Sequence, residues 1–143
     1  MPTGNAPRIR TEVQVMFFDT DCAAVVHNIA YLRFIEIART LLAEKLGMGL
    51  AQMATDQRYP VVVRTEIDYR RPAKLGDKLV IEGWLDQLER VRFWCGFRIV
   101  RPVDDALIAD CRQMLAIIEM PSAKILRLPD DWEQYRAPKP AAG

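Results

Sequence analysis

One long helical segment set among strands constrains this chain more than any other feature. From Asn28 to Leu46, the residues Ile29, Leu32, Ile35, Leu42 and Leu46 form much of one apolar stripe, and Tyr31, Phe34, Ala38 and Leu41 widen it. A stripe this wide exceeds what a helix lying on one flat patch needs, so it predicts a helix wrapped by other elements. Asn28 is a good N-cap residue, and Gly47 and Gly49 are reasonable terminators. Most of the remaining chain reads with period two. Ile9, Thr11, Val13, Val15 and Phe17 share one face of a strand that runs to Asp19. Val61–Tyr69, Lys78–Leu85, Val91–Arg101 and Leu107–Glu119 predict four more strands. RPAKLGD (Arg71–Asp77), Gln87–Arg90 and Pro102–Ala106 are short connections, which make the later strands antiparallel. The economical arrangement is α+β: a curled antiparallel β-sheet around one long α-helix. The second half of Leu107–Glu119 is apolar on both faces, so that strand is central or is covered by a partner chain.

With 143 residues the chain is one domain's worth. The Pro- and Gly-containing start is expected to fray, and the domain is expected over residues 8–120. Residues 121–143 read as a partly disordered tail, with one helical turn over 122–127 and disorder beyond Tyr135. The formal net charge of +1 gives no reason to expect nucleic acid or an anionic membrane as a partner. No apolar run approaches a membrane span, and MPTGNAPRIR lacks the apolar core of a signal peptide, so a cytoplasmic location is expected. Cys22, Cys95 and Cys111 have no metal-ligand spacing and read as reduced thiols. No metal or cofactor is called for.

Chemistry points to the segment just ahead of the helix. Two carboxylates, Asp19 and Asp21, interrupt an apolar run, and a loop of small residues leads from them to Asn28. One can bond loop amides as an Asx turn while the other points into a pocket. From spacing alone, Asp21 is as readily a loop brace as a reactive group. Cys22 lacks an evident base beyond His27, the only histidine. Glu36 and Arg39 are three apart and predict a structural pair. Arg70, Arg71 and Lys74 form a small basic cluster at a turn, able to hold phosphates or simply to face water.

The stretch FDTDCAAVVHNIAYLRFIEIAR resembles the signature of the hotdog-fold acyl-CoA thioesterases related to 4-hydroxybenzoyl-CoA thioesterase. Asp19, Asp21, Val25, Val26, Tyr31, Glu36, Ala38 and Arg39 match in register, and Gly76–Asp77 resembles the turn before the family's middle strand. The resemblance implies a hotdog fold. It implies a thioester hydrolase in which Asp21 is the catalytic carboxylate and a backbone N–H near Asn28 holds the thioester carbonyl. It implies a site at the boundary of a homodimer, which can pair further into a homotetramer. Val26, His27, Tyr31, Arg70, Arg71 and Lys74 are then the expected substrate-binding residues, and the expected partner is acyl-CoA or an acyl-carrier protein. Two departures stand out. Ala24 occupies the family's glycine position, and Ala30 stands where many relatives have Asn. Ala24 motivates a second reading, a non-catalytic protein of the same fold that binds acyl thioesters or an acyl-carrier protein. A dehydratase of the same fold would need a His and a carboxylate across the site, and His27 is not in such a context.

Overall fold

The computed structural model describes residues 6–136. β1 (Arg8–Gln14) is followed by α1 (Asn28–Lys45) and the short α2 (Leu50–Asp56). Next come β2 (Arg58–Tyr69), β3 (Lys78–Leu88), β4 (Arg92–Arg101), β5 (Ala106–Glu119) and β6 (Lys124–Leu126). The strands form one sheet in the order β1-β3-β4-β5-β2, with β6 paired to the end of β5, and every pairing is antiparallel. This is the curled half-barrel around a helix that the period-two and period-3.6 segments predict, and it is a hotdog fold.

The sheet's concave face supplies Leu79, Ile81, Leu85, Phe93, Phe97, Ile99 and Leu115 to the core. Helix α1 meets them with Ala30, Tyr31, Phe34, Ile35, Ala38 and Leu42. β5 lies between β4 and β2, which explains its apolar second half: Ala116 and Ile117 are both buried. The helix is not wrapped on all sides. Ile29 is 74% exposed and Leu32 and Leu41 are also uncovered, so part of the predicted stripe faces outward in the single chain. Strand β2 is an edge strand, with Val62, Val63 and Tyr69 exposed along it.

Three local expectations change. β1 stops at Gln14, because Val15 exchanges hydrogen bonds with the turn beyond (Val15 N–H to Asp77 C=O, 2.8 Å; Gly76 N–H to Val15 C=O, 3.0 Å). Phe17–Asp19 then closes into a 3-10 turn, which puts Phe17 on the surface rather than on the inward face. The helix cap is His27, one residue before Asn28; its Nδ1 accepts the Ala30 N–H. The segment over residues 122–127 is not a helical turn: after a turn it forms β6 against Ile117–Glu119. Beyond it, Asp130–Tyr135 forms a 3-10 helix that drives Trp132 into the core. Disorder was expected beyond Tyr135; residues 137–143 lie outside the described residues.

Trp132 packs edge-on against Phe93, with ring centroids 5.0 Å apart, and its indole N–H donates to the Leu46 carbonyl at the end of α1. It thus joins the tail, the sheet and the helix terminus. Trp132→Ala is expected to cost about 3–5 kcal/mol, the range for large aromatic truncations in cores. Thermal unfolding followed by circular dichroism should show a melting point lower by roughly 10 °C or more.

Candidate active site

Residues 19–27 fold back on themselves ahead of α1. Thr20 pairs with Val26, the Asp21 N–H donates to the Val25 carbonyl (2.9 Å), and the His27 N–H donates to the Asp19 carbonyl (3.1 Å). The chain that carries the two aspartates therefore runs alongside the chain that enters the helix. Between the two arms, the Ala24 N–H closes a tight turn on the Asp21 carbonyl (3.0 Å).

The two carboxylates take different places. Asp19 is buried; its Oδ2 accepts the Met16 N–H (2.9 Å) and its Oδ1 pairs with the Arg33 guanidinium. Asp21 is exposed in the single chain. Its Oδ1 accepts the Ala23 N–H (2.9 Å) and, more weakly, the Val25 N–H (3.4 Å), as in an Asx turn. Its Oδ2 receives no hydrogen bond from the described residues, so one oxygen holds the loop and the other is available.

At the helix start, Ala30 N–H is taken by His27 through both its carbonyl (3.0 Å) and its Nδ1 (3.2 Å). An imidazole that accepts at Nδ1 carries its proton on Nε2, and that proton faces the Phe18 carbonyl at 3.4 Å. Both nitrogens of His27 are thus engaged inside the protein. The N–H groups of Asn28 and Ile29 bond to nothing among the described residues. They are the open donors that every helix N-terminus leaves, and the helix dipole adds partial positive charge there.

The turn before β3 stitches this loop down. Val26 N–H donates to the Ala73 carbonyl (2.9 Å), Leu75 N–H to the Ala24 carbonyl (3.0 Å), and Val25 pairs with Lys74. Ala73 N–H donates to the Tyr31 hydroxyl (3.0 Å). Burial pushes the Tyr31 phenol above its ordinary pKa, so it remains a neutral hydroxyl in that place. Arg101 holds the turn from the other side, donating to Asp77 (2.9 Å), the Pro72 carbonyl (3.3 Å) and Asp104 (2.8 and 2.9 Å). Those carboxylates, Asp104 first, hold the guanidinium above its ordinary pKa.

The expected site residues therefore divide. Asp21, Val26, His27, Asn28, Tyr31 and Lys74 come together around one loop. Val26 and Tyr31 are buried there as walls rather than open surface. Arg70 turns toward Asp110 (3.3 Å) and Asp68 (3.5 Å), whereas the side chains of Arg71 and Lys74 meet no acid among the described residues. Arg39 does pair with Glu36 (3.7 Å), but its shorter bond goes to the buried Gln113 (2.8 Å). Cys22 is exposed in the turn; Cys95 and Cys111 are buried and their thiols are pushed up to about 12 by desolvation. Among the described residues no group of His, Cys, Asp and Glu could hold a metal, and no helix is long and apolar enough to cross a membrane. Arg33 and Ala73 were not foreseen, nor was the clamping role of Arg101, which as an alternate-face strand residue reads as a phosphate contact or a solvent-facing charge. Their contacts link positions far apart in the chain, and only the outward charge of Arg33, on the helix beside the loop, hinted at any of them.

Ala24 sits at φ 59°, in the left-handed region. A residue with a Cβ there costs roughly 1–2 kcal/mol, and glycine escapes that cost but loses more entropy on folding. Ala24→Gly is therefore expected to stabilise the protein by about 0.5–1 kcal/mol, read as a rise of a few degrees in melting temperature.

Comparison with known proteins agrees with the fold. A family model described as the thioesterase-like superfamily matches residues 15–134. A 1,4-dihydroxy-2-naphthoyl-CoA hydrolase from Synechocystis is 30% identical over 124 residues, covering 85% of this chain and 89% of that protein. The acyl-CoA thioesterase YbgC of Haemophilus influenzae is 28% identical over 120 residues, covering 83% and 87%. Among solved structures, a 1,4-dihydroxy-2-naphthoyl-CoA thioesterase from Synechocystis superposes with a TM-score of 0.77 at 26% identity, covering 89% of this chain and 93% of that one. With the aspartate loop, the helix start and the clamping turn all inside the matched span, the chain belongs to the thioesterase-like superfamily.

Proposed function

We propose that this protein hydrolyses acyl-CoA thioesters, with Asp21 as the catalytic carboxylate and the Asn28 N–H as the donor to the thioester oxygen. The observation that carries the reading is the pairing of residues 19–21 with 25–27, which sets a carboxylate with a free oxygen beside a helix start with two free N–H groups. Asp21 delivers the attack on the thioester carbon, directly or through a water that it deprotonates. The carbonyl oxygen gains negative charge as the new C–O bond forms, and the N–H at the helix start meets that charge. The C–S bond then breaks and the thiolate of coenzyme A leaves, taking up a proton; where Asp21 itself attacked, a water then hydrolyses the mixed anhydride, which releases the acid and restores the carboxylate. Val26 and Tyr31 build the wall of the site, and His27 caps the helix so that its first N–H groups point outward. Lys74 and Arg71, free of acidic partners among the described residues, suit the phosphates of coenzyme A, and Arg70 sits next to them.

The working unit in this reading is a homodimer with the site at the seam. Its support is the uncovered apolar surface on the segments that flank the loop, where Phe17 is 81%, Phe18 70% and Ile29 74% exposed, and the outer edge of β2, which is unpaired among the described residues. Sheet edges are normally paired, covered or charged, and a second β2 can close this one. An aromatic acyl group is the first to try, because the Synechocystis relative acts on 1,4-dihydroxy-2-naphthoyl-CoA. The test is thiol release from benzoyl-CoA, hexanoyl-CoA and palmitoyl-CoA by the wild type and Asp21→Asn, with sedimentation giving the oligomeric state. Release that depends on Asp21 is the expected result, and release unaffected by the substitution overturns the assignment. The second reading, a binding protein, draws on the strained Ala24 next to Asp21. It predicts saturable binding of the same thioesters with no free thiol.

A further inference from the structure

Asp19 is the only buried carboxylate among the described residues, and the chemistry proposed above does not use it. Its connections reach both halves of the site. Its carbonyl takes the N–H of His27, the residue immediately before Asn28 (3.1 Å). Its Oδ2 takes the N–H of Met16 (2.9 Å), which closes the 3-10 turn leading into the Asp21 loop. Its Oδ1 is held by Arg33, which stands on α1 shortly after the helix start. Arg33 is itself confined: its guanidinium lies 5.3 Å from the ring centroid of Phe18 and 5.4 Å from that of Phe34. One ion pair thus ties the aspartate arm to the helix that presents the open N–H groups.

We infer that Arg33, acting through Asp19, is a positioning residue that fixes the separation between the Asp21 carboxylate and the N–H groups at the start of α1. The inference rests on the thioesterase reading above. Arg33 is half-exposed, so the pair is a weak source of stability. Its geometric consequence is larger. A catalytic group misplaced by about 1 Å can cost on the order of 100-fold in rate. Nothing else that Asp19 bonds comes from the body of the helix; Met16 and His27 lie on the loop arms themselves.

The experiment compares wild type, Asp21→Asn, Asp19→Asn, Arg33→Met, Arg33→Lys and the double variant Asp19→Asn/Arg33→Met in thiol release from the best acyl-CoA of the panel. Folding at the assay temperature is checked by circular dichroism. The expected result is a fall in kcat of roughly tenfold or more for Arg33→Met and Asp19→Asn, with KM within about threefold. The double variant should fall no further than the worse single variant, because both remove the same link. Arg33→Lys should recover part of the loss, since it restores the charge but not the fork. If Asp19→Asn does not fold, the two Arg33 variants decide alone. Wild-type kcat in Arg33→Met overturns the inference while leaving the function in place. A rise in KM with kcat unchanged also overturns it, because Arg33 would then be touching substrate. Thiol release that survives Asp21→Asn removes the assignment of Asp21 and the positioning role with it, whereas no release by the wild type removes the thioesterase reading itself.

Discussion

Asp21→Asn should lower kcat by about 10²–10⁴-fold, the range associated with loss of a positioned base or acid, while KM stays within a few-fold. The substitution isolates the chemistry because of how Asp21 is held. Its Oδ1 accepts the Ala23 N–H at 2.9 Å, and an asparagine oxygen can accept the same bond, so the turn has no reason to open. The side chain is exposed in the single chain, so stability should change by no more than about 0.5 kcal/mol. What disappears is the charge on the oxygen with no partner among the described residues. Initial rates of thiol release across substrate concentration, with melting curves in parallel, check the prediction. A variant that melts with the wild type yet turns over at the wild-type rate would assign Asp21 to the loop alone.

Asn28→Pro should be nearly as damaging, with kcat lower by about 10²–10³-fold, the cost of one lost oxyanion donor. Proline removes the backbone N–H and nothing else that the fold uses. Asn28 is the first residue of α1, where proline is favoured because its fixed φ suits the helix and the missing N–H has no helical partner. The residue before a proline must be extended, and His27 already is, at φ −82° and ψ 158°. Asn28→Ala is the matched control: it keeps the N–H, removes the side chain and should leave kcat within a few-fold of wild type. Equal losses in the two variants would transfer the role from the backbone to the asparagine amide. Wild-type rates in both would move the oxyanion donor elsewhere, with the Ile29 N–H next in line.

The two periodicities were readable because each element buries one face. Phe93, Cys95, Phe97 and Ile99 alternate in sequence and are all buried in β4. The helix was readable to within one residue at its start; the miss came from His27, whose ring nitrogen caps the helix in a role that the adjacent asparagine fills more often. Phe17 continued the alternation of β1 in sequence, but the Asp19 carboxylate and the turn at Gly76 end the strand before it. The division of labour between Asp19 and Asp21 was half legible: either aspartate suits an Asx brace, but residues two apart share a face on an extended backbone, so it is the 3-10 turn ending at Asp19 that separates them, and the partner of Asp19 sits on the helix at Arg33. The tail up to Tyr135 was the least legible part. Its prolines suggested a loose end, whereas one tryptophan buried against Phe93 anchors it. Long-range partners of that kind leave no local period to detect.

That anchor bears on how the chain is made. Synthesis runs from the N-terminus, and the elements that complete the core come last: β5 fills the place between β4 and β2, and Trp132 closes over Phe93 near the end of α1. Helix α1 can form early, but its apolar face has no finished sheet to rest on until β5 is available. The sheet's pairings join residues far apart in the chain, such as Arg58 with Glu119, and contacts of that kind form slowly. Until β5 emerges the nascent chain therefore carries an uncovered helix and an unpaired β2, and β6 and Trp132 follow to complete the core. A stop codon just before β5, which would remove β5, β6 and Trp132, should release a chain that remains in the adhesive state that precedes β5.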